Sequence, residues 1–118
     1  MKYAILIYDS AESLARMGDA MDDDYEKFAG GLVEHGYMRG GEQLASSSVA
    51  TTLRGEGGKV IAHDGPFAET KEQLGGFFLI ECASLDEALE AAGQVPSLRS
   101  GGVVEVRPVV EGPDEEHH

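Results

Sequence analysis

The chain has 118 residues, 42% hydrophobic and 26% charged, a composition that suits one globular domain with a single core and excludes a disordered chain. Its 22 acidic residues outnumber 9 basic ones, giving a net charge of −13, so nucleic acid and anionic membrane surfaces are not expected as direct partners. No apolar run is long enough to span a bilayer, the N-terminal apolar run is too short for a signal peptide, and the lone Cys82 cannot form an intramolecular disulfide, so a cytoplasmic protein is expected.

Residues 3–8, YAILIY, form a continuous apolar run that suits a central strand ended by Asp9 and Ser10. Residues 11–17 are expected to make one or two helical turns, with Leu14 and Met17 on one face and Gly18 as the breaker. A long helix is predicted over 21–35. Tyr25, Phe28 and Leu32 share its apolar stripe, Asp22 to Asp24 complement its positive end, and Gly36 closes it, with His35 at the negative end. Gly30 and Gly31 weaken that helix, and the reading assigns them to close backbone approach to the sheet or to a second subunit. Residues 37–44 read as a strand with a bulge at Gly40 and Gly41.

Two further strands, 48–54 and 59–63, flank GEGG as a hairpin. The β-prone run GFFLIEC at 76–82 follows, ending in Cys82, which reads as a buried small hydrophobe. Ser84 and Glu87 form a capping box for a second long helix with a stripe of Leu85, Ala88, Leu89 and Ala92, stopped near Pro96. The last strand, 103–110, alternates Val104, Val106, Pro108 and Val110 against Glu105 and Arg107, and Pro108 leaves one of its sides free or bulged. Met17, Met21 and Met38 are read as gap fillers.

With the hairpin set aside, the order is βαββαβ. The expected fold is therefore α+β, a ferredoxin-like sheet with helices on one face, an inserted β-hairpin, and a homodimer stacking sheet on sheet into a dimeric α/β-barrel-like assembly. Residues 1–110 are taken as one domain and 111–118 as a flexible acidic tail, with no role given to His117 and His118.

The densest chemistry lies at 63–76, HDGPFAETKEQLGG. His63 brings an imidazole, a general acid or base by type, beside Asp64 in sequence, although neighbours on an extended strand point to opposite faces. Glu69, Lys71 and Glu72 supply an acid, a cation for an anionic substrate and a second acid. Alternatively, Asp-Gly-Pro is turn chemistry, Phe67 plugs the edge of the core, and Lys71 pairs with a glutamate in solvent. The segment has no metal-ligand spacing, nucleophile elbow or phosphate loop, and neither metal nor cofactor is expected.

GPFAETKEQLGGF, the closing VEVRPV, the opening MKYAILIY and GYMRGGE at 36–42 together resemble the DGPF-domain family of the YCII-related superfamily, from Met1 to about Val110. The resemblance implies a ferredoxin-like homodimer, often encoded near extracytoplasmic-function sigma factors in bacteria. Shorter relatives carry a helix histidine, proposed as half of an acid–base pair, at the position of Tyr25. Asp64 is the firmer family position and His63 an individual feature, so Asp64, Lys71 and Glu72 rank above His63 as catalytic candidates. Gly65, Pro66, Phe67, Glu69, Tyr25 and Arg107 are candidate ligand-binding residues. Tyr25 reads first as core, Arg107 with Glu105 as a rim pair, and Asp9 is placed by topology at the same end of the sheet as the DGPF turn. The expected function is a small-molecule enzyme using acid–base carboxylates in a cleft beside that turn, on a small polar ligand. The alternatives are a non-catalytic ligand-binding or regulatory module linked to a sigma-factor pathway, and an interaction protein whose DGPF segment shapes a dimer.

Overall fold

A computed structural model describes residues 1–18 and 21–111. Most of the tail expected at 111–118, and the side chain of Met21, lie outside the described residues. The strands are β1 (Lys2–Asp9), β2 (Met38–Gln43), β3 (Thr51–Glu56), β4 (Lys59–Asp64), β5 (Gln73–Glu81) and β6 (Val103–Pro108). The helices are α1 (Ala11–Met17), α2 (Met21–Glu34) and α3 (Leu85–Ala92), with short 3₁₀ turns at Ser47–Val49 and Pro96–Ser100. A four-stranded sheet has the order β2-β5-β1-β6 with antiparallel neighbours, and β3 with β4 forms a separate two-stranded ribbon. No helix among the described residues is long and apolar enough to cross a membrane.

The YAILIY run becomes the central strand β1 because it pairs on both edges, with β5 and with β6. Side chains alternate across a strand, so Tyr3, Ile5 and Ile7 face the helices and are buried, joined by Phe28 and Leu32 of α2, Ile80 and Cys82, and Ala88 and Ala92 of α3. Val104 and Val106 pack against the same core from β6. Pro108 sits on the edge strand, where a missing N–H costs the ladder nothing. The opposite sheet face carries Leu6, Phe77 and Leu79, all half-buried, with no helix among the described residues over them.

Several expectations shift in detail. The 48–54 strand begins only at Thr51, because the Ser46 side chain accepts from the Ser48 N–H and turns the chain. Gly57 and Gly58, both at positive φ, make the hairpin turn. Ser84 accepts from the Glu87 N–H as expected, but the Glu87 carboxylate reaches back to the Ala83 N–H instead of completing a box. Leu85 and Leu89 are exposed, and Ala91 joins Ala88 and Ala92 against the core. Gly30 and Gly31 do not abut the sheet: a Cβ at either would meet nothing within 4 Å. The bulge in β2 is present between Met38 and Gly40. Glycine is required at position 41, where a Cβ would lie 2.6 Å from the Phe77 carbonyl oxygen.

The β3–β4 ribbon is an arm. Paired residues of an antiparallel ribbon share a face, so Leu53, Ala62 and Val60 form one side, with Thr51 and Asp64 at its base, while Thr52, Arg54, Glu56, Lys59, Ile61 and His63 lie on the other. The apolar side is uncovered, with Leu53 at 66% and Val60 at 73% exposure. The arm is fastened at its base, where the Gly65 N–H donates to the Ala50 carbonyl (2.7 Å) and the Thr52 hydroxyl to the Gly65 carbonyl (2.7 Å).

Candidate functional site: a cleft at the end of the sheet

A cleft of about 760 Å³ opens where β1 ends, β5 begins and α2 starts. One bank is built from the body of the fold: Ile7 and Asp9 of β1, Ser10 and Leu14 beside α1, and Tyr25 of α2. The other is the β4–β5 loop, which contributes Pro66, Glu69, Thr70 and Lys71. The start of β5, with Gly75, Gly76, Phe77 and Phe78, forms the floor, and the end of β2 with the following serines forms the far wall.

Asp9 occupies the inner bank because strand and helix meet there. Ser10 caps α1 by accepting from the Ser13 N–H (3.0 Å), and Ser13 returns the contact by accepting from the Ser10 N–H (2.9 Å). This fixes the chain direction just after Asp9. The carboxylate is flanked by Gly75 and Gly102, where a Cβ would come within 3.4 Å of Oδ2 and 2.8 Å of Oδ1. Gly102 in particular leaves no space for any side chain, so glycine there is a condition for the position of Asp9.

Asp9 is poorly partnered. The Ser13 hydroxyl lies 3.5 Å from Oδ1, but its one proton has a nearer acceptor in the Ser10 carbonyl at 3.0 Å. Among the described residues Asp9 makes no ion pair. Burial pushes its carboxyl above the ordinary carboxylate range, against the pull of the Ser13 and Ser97 hydroxyls. Tyr25 is half-buried beside it; desolvation raises its phenol, Ser97 opposes that, and the Asp9 charge adds to it. Tyr25 also stands edge-on to Phe28, with ring centroids 6.5 Å apart.

Ser97, on the Pro96–Ser100 turn, is fully buried behind these two groups, and its hydroxyl has no partner in hydrogen-bonding geometry. It is near enough to draw both Asp9 and Tyr25 back towards their ordinary values. A buried hydroxyl left unmatched costs about 1–3 kcal/mol.

The loop bank is exposed and self-braced. The Gln73 side-chain amide donates to the Thr70 carbonyl (2.8 Å), and the Thr70 hydroxyl donates to the Glu72 carbonyl (2.6 Å). Lys71 reaches across to Glu12 of α1 at 3.3 Å. It is the only lysine or arginine among the described residues lining the cleft, against the carboxylates of Asp9, Asp22, Glu42 and Glu69.

Of the residues singled out from sequence, Tyr25, Pro66, Glu69 and Lys71 line the cleft. Asp64, Glu72, His63, Gly65, Phe67 and Arg107 lie outside its lining. Asp64 ends β4 and is exposed, and the His63 ring meets the Asp64 carbonyl oxygen (Nδ1···O 3.3 Å) and not its carboxylate, as opposed faces of a strand require. Gly65 serves the turn with φ of 95°. Phe67, expected to plug the core edge, is 74% exposed because the loop turns outward after Pro66. Arg107 pairs with Glu105 at 3.2 Å on the face away from the helices, where Glu105 also accepts from the Tyr8 hydroxyl at 3.1 Å. Asp9 reached the site by topology alone, and Ser97 gave no sequence signal, since one serine in a loop carries no pattern. Among the described residues no cluster of three or more His, Cys, Asp or Glu is placed to hold a metal ion.

The fold and cleft define a small α+β protein with an antiparallel sheet and a half-buried carboxylate at the sheet's end. The chain belongs to the YCII-related family, whose domain model matches residues 1–112. It is 42% identical over 115 residues, 92% of each chain, to "Uncharacterized protein R00369" of Rhizobium meliloti (strain 1021). Its fold is similar to that of the 5-chloro-2-hydroxyhydroquinone dehydrochlorinase TftG from Burkholderia phenoliruptrix AC1100, solved in complex with 2,5-dihydroxybenzoquinone. The TM-score is 0.52 at 20% identity, over 95% of this chain and 96% of that one.

Proposed function

We propose that this protein is a small-molecule enzyme that works by acid–base chemistry in the cleft beside the DGPF turn, with Asp9 as the base. The observation that carries this is the Asp9 carboxyl itself: half-buried, without an ion-pair partner among the described residues, and raised by desolvation in a cleft large enough for a small substrate. A base works best when its pKa lies near the working pH, and burial moves Asp9 in that direction. In this reading Asp9 takes a proton from the substrate. Tyr25 donates its phenolic hydrogen to the oxygen on which negative charge develops. Pro66, Glu69 and Lys71 form the substrate's outer contact. Asp64, His63, Gly65 and Glu72 hold the turn that presents them.

The charge of the cleft selects the substrate class. Its carboxylates outnumber its one lysine, which is itself paired with Glu12. An anionic substrate is therefore disfavoured, and a neutral or cationic polar molecule fits better. The protein with a similar fold is named as a dehydrochlorinase of 5-chloro-2-hydroxyhydroquinone, and a small polar substrate for this cleft is consistent with that name.

The four-stranded sheet is read as ferredoxin-like, with the homodimer formed over its helix-free face. Support comes from the half-buried Leu6, Phe77 and Leu79 there and from the uncovered side of the arm, because an isolated two-stranded ribbon is marginal in water. Arg107 belongs to this face and not to the cleft.

The test is thermal shift of the protein and its Asp9→Asn variant against a metabolite library, followed by incubation and product analysis of each hit. Conversion by the native protein that is lost in the variant supports the enzyme. Stabilisation without conversion of any hit favours the ligand-binding or regulatory module instead.

A further inference from the structure

Ser97 is the one buried polar side chain among the described residues whose hydroxyl finds no hydrogen-bond partner. Buried hydroxyls are nearly always matched, and exceptions concentrate where a protein keeps a group ready for use. Its surroundings are specific. A Cβ at Gly102 would lie 2.8 Å from Asp9 Oδ1, 2.9 Å from Ser97 Cβ and 2.9 Å from the Ser97 carbonyl oxygen, so the Asp9 carboxylate and Ser97 converge on one point above a glycine. That glycine is itself anchored to the serine by its N–H on the Ser97 carbonyl, at 2.8 Å. Tyr25 of α2 lines the same cleft as Asp9.

We propose that Ser97 is the positioning residue of the cleft: its hydroxyl donates to the ionised Asp9 carboxylate and holds the base in place beside Tyr25, whose own phenolic hydrogen stays free for the substrate. The proposal rests on Asp9 and Tyr25 being the reacting pair, but the contact it assigns needs no substrate to form. A rotatable hydroxyl has a single proton to give, and the carboxylate is its acceptor in this arrangement. The other charged groups lining the cleft with Asp9 are Asp22 from α2, Glu42 from β2, and Glu69 and Lys71 from the loop. Arg99, on the same turn as Ser97, is engaged by Asp24 at 3.1 Å. Arg16 of α1 reaches the same turn and donates to the Ser100 carbonyl at 3.1 Å.

The experiment is the titration of Asp9, followed through its carboxyl carbon by NMR in the native protein, in Ser97→Ala and in Gly102→Ala. Loss of the donor removes a stabiliser of the charged form, so the Asp9 midpoint moves upward in Ser97→Ala. It moves the same way in Gly102→Ala, where the added methyl pushes the two groups apart. An unchanged midpoint in both variants overturns the proposal and leaves Ser97 an idle hydroxyl, in which case Ser97→Ala also melts no lower than the native protein. The native protein gives a reading that needs no variant: the Ser97 hydroxyl proton resonance follows the Asp9 titration if the contact is made and is indifferent to it if not. Because none of these readings uses a substrate, a shifted midpoint with no turnover sustains the positioning role while the enzymatic reading fails.

Discussion

The two banks of the cleft are built in opposite ways. The loop bank, Pro66 to Lys71, is exposed, braced by its own side-chain contacts, and carries the segment by which the sequence is recognised. The inner bank, Asp9 and Tyr25 with Ser97 behind them, draws on three distant parts of the chain and has no motif, yet it holds the carboxyl and the phenol that burial has shifted. Recognisability follows local backbone demands: an Asp-Gly-Pro turn needs those residues in that order. Reactivity follows desolvation and proximity, which are properties of the assembled fold.

The largest effect that sharpens this contrast is expected at Asp9. Asp9→Asn lowers turnover of any substrate found by about 100-fold or more, whereas Lys71→Ala changes it by only a few-fold, since its ammonium is already shared with Glu12 in solvent. Initial rates on the same substrate decide it, and a greater loss in Lys71→Ala would transfer the chemistry to the loop bank. Next in size is the assembly. Val60→Asp, on the bare side of the arm, is expected to turn a dimer into a monomer in light scattering while leaving the fold intact by circular dichroism. A dimer of unchanged mass and stability removes the arm from the interface.

The same Asp9 substitution has a stability consequence of definite sign. Burial raises the folded-state pKa of Asp9 above its value in the unfolded chain, so between the two values the folded state binds more protons. Stability from this group is therefore highest at acid pH and falls as pH climbs through that interval. Asp9→Asn removes the penalty and should melt higher than the native protein at pH 7, with the advantage vanishing below pH about 4, near the carboxyl pKa of an unfolded chain. Equal melting temperatures at neutral pH would show that the inner bank is not desolvated. The smallest effect is expected at Gly30, far from both banks. Its Cβ direction is open, so Gly30→Ala should stabilise α2 by about 0.5–1 kcal/mol in urea denaturation. Destabilisation would reveal a contact there with a second copy.

Much of the fold was legible because each element follows from a short-range rule. The apolar run at 3–8 has to be interior, Gly57 and Gly58 have to turn, Ser84 has to cap, and Pro108 has to lie at an edge. The errors came where a pattern was satisfied by something the pattern does not contain. Leu85 and Leu89 fit a helical stripe, yet the alanines pack more closely and leave the leucines outside. Gly30 and Gly31 suggested a close approach that does not occur within the chain. Phe67 looked like a core residue only because its side chain is apolar; the backbone after Pro66 carries it outward.

The sequence by itself determined the order of strands and helices, the inserted hairpin, the family and one rim of the cleft, because periodicity, caps and turn residues act over a few positions. Only the tertiary structure decided which carboxylate is desolvated, that Tyr25 stands beside it, and that Ser97 lies buried at their backs. Residues 9, 25, 97 and 102 are brought together by the pairing of β1 with β6 and by the packing of α2 and the last turn, and no local rule along the chain links them.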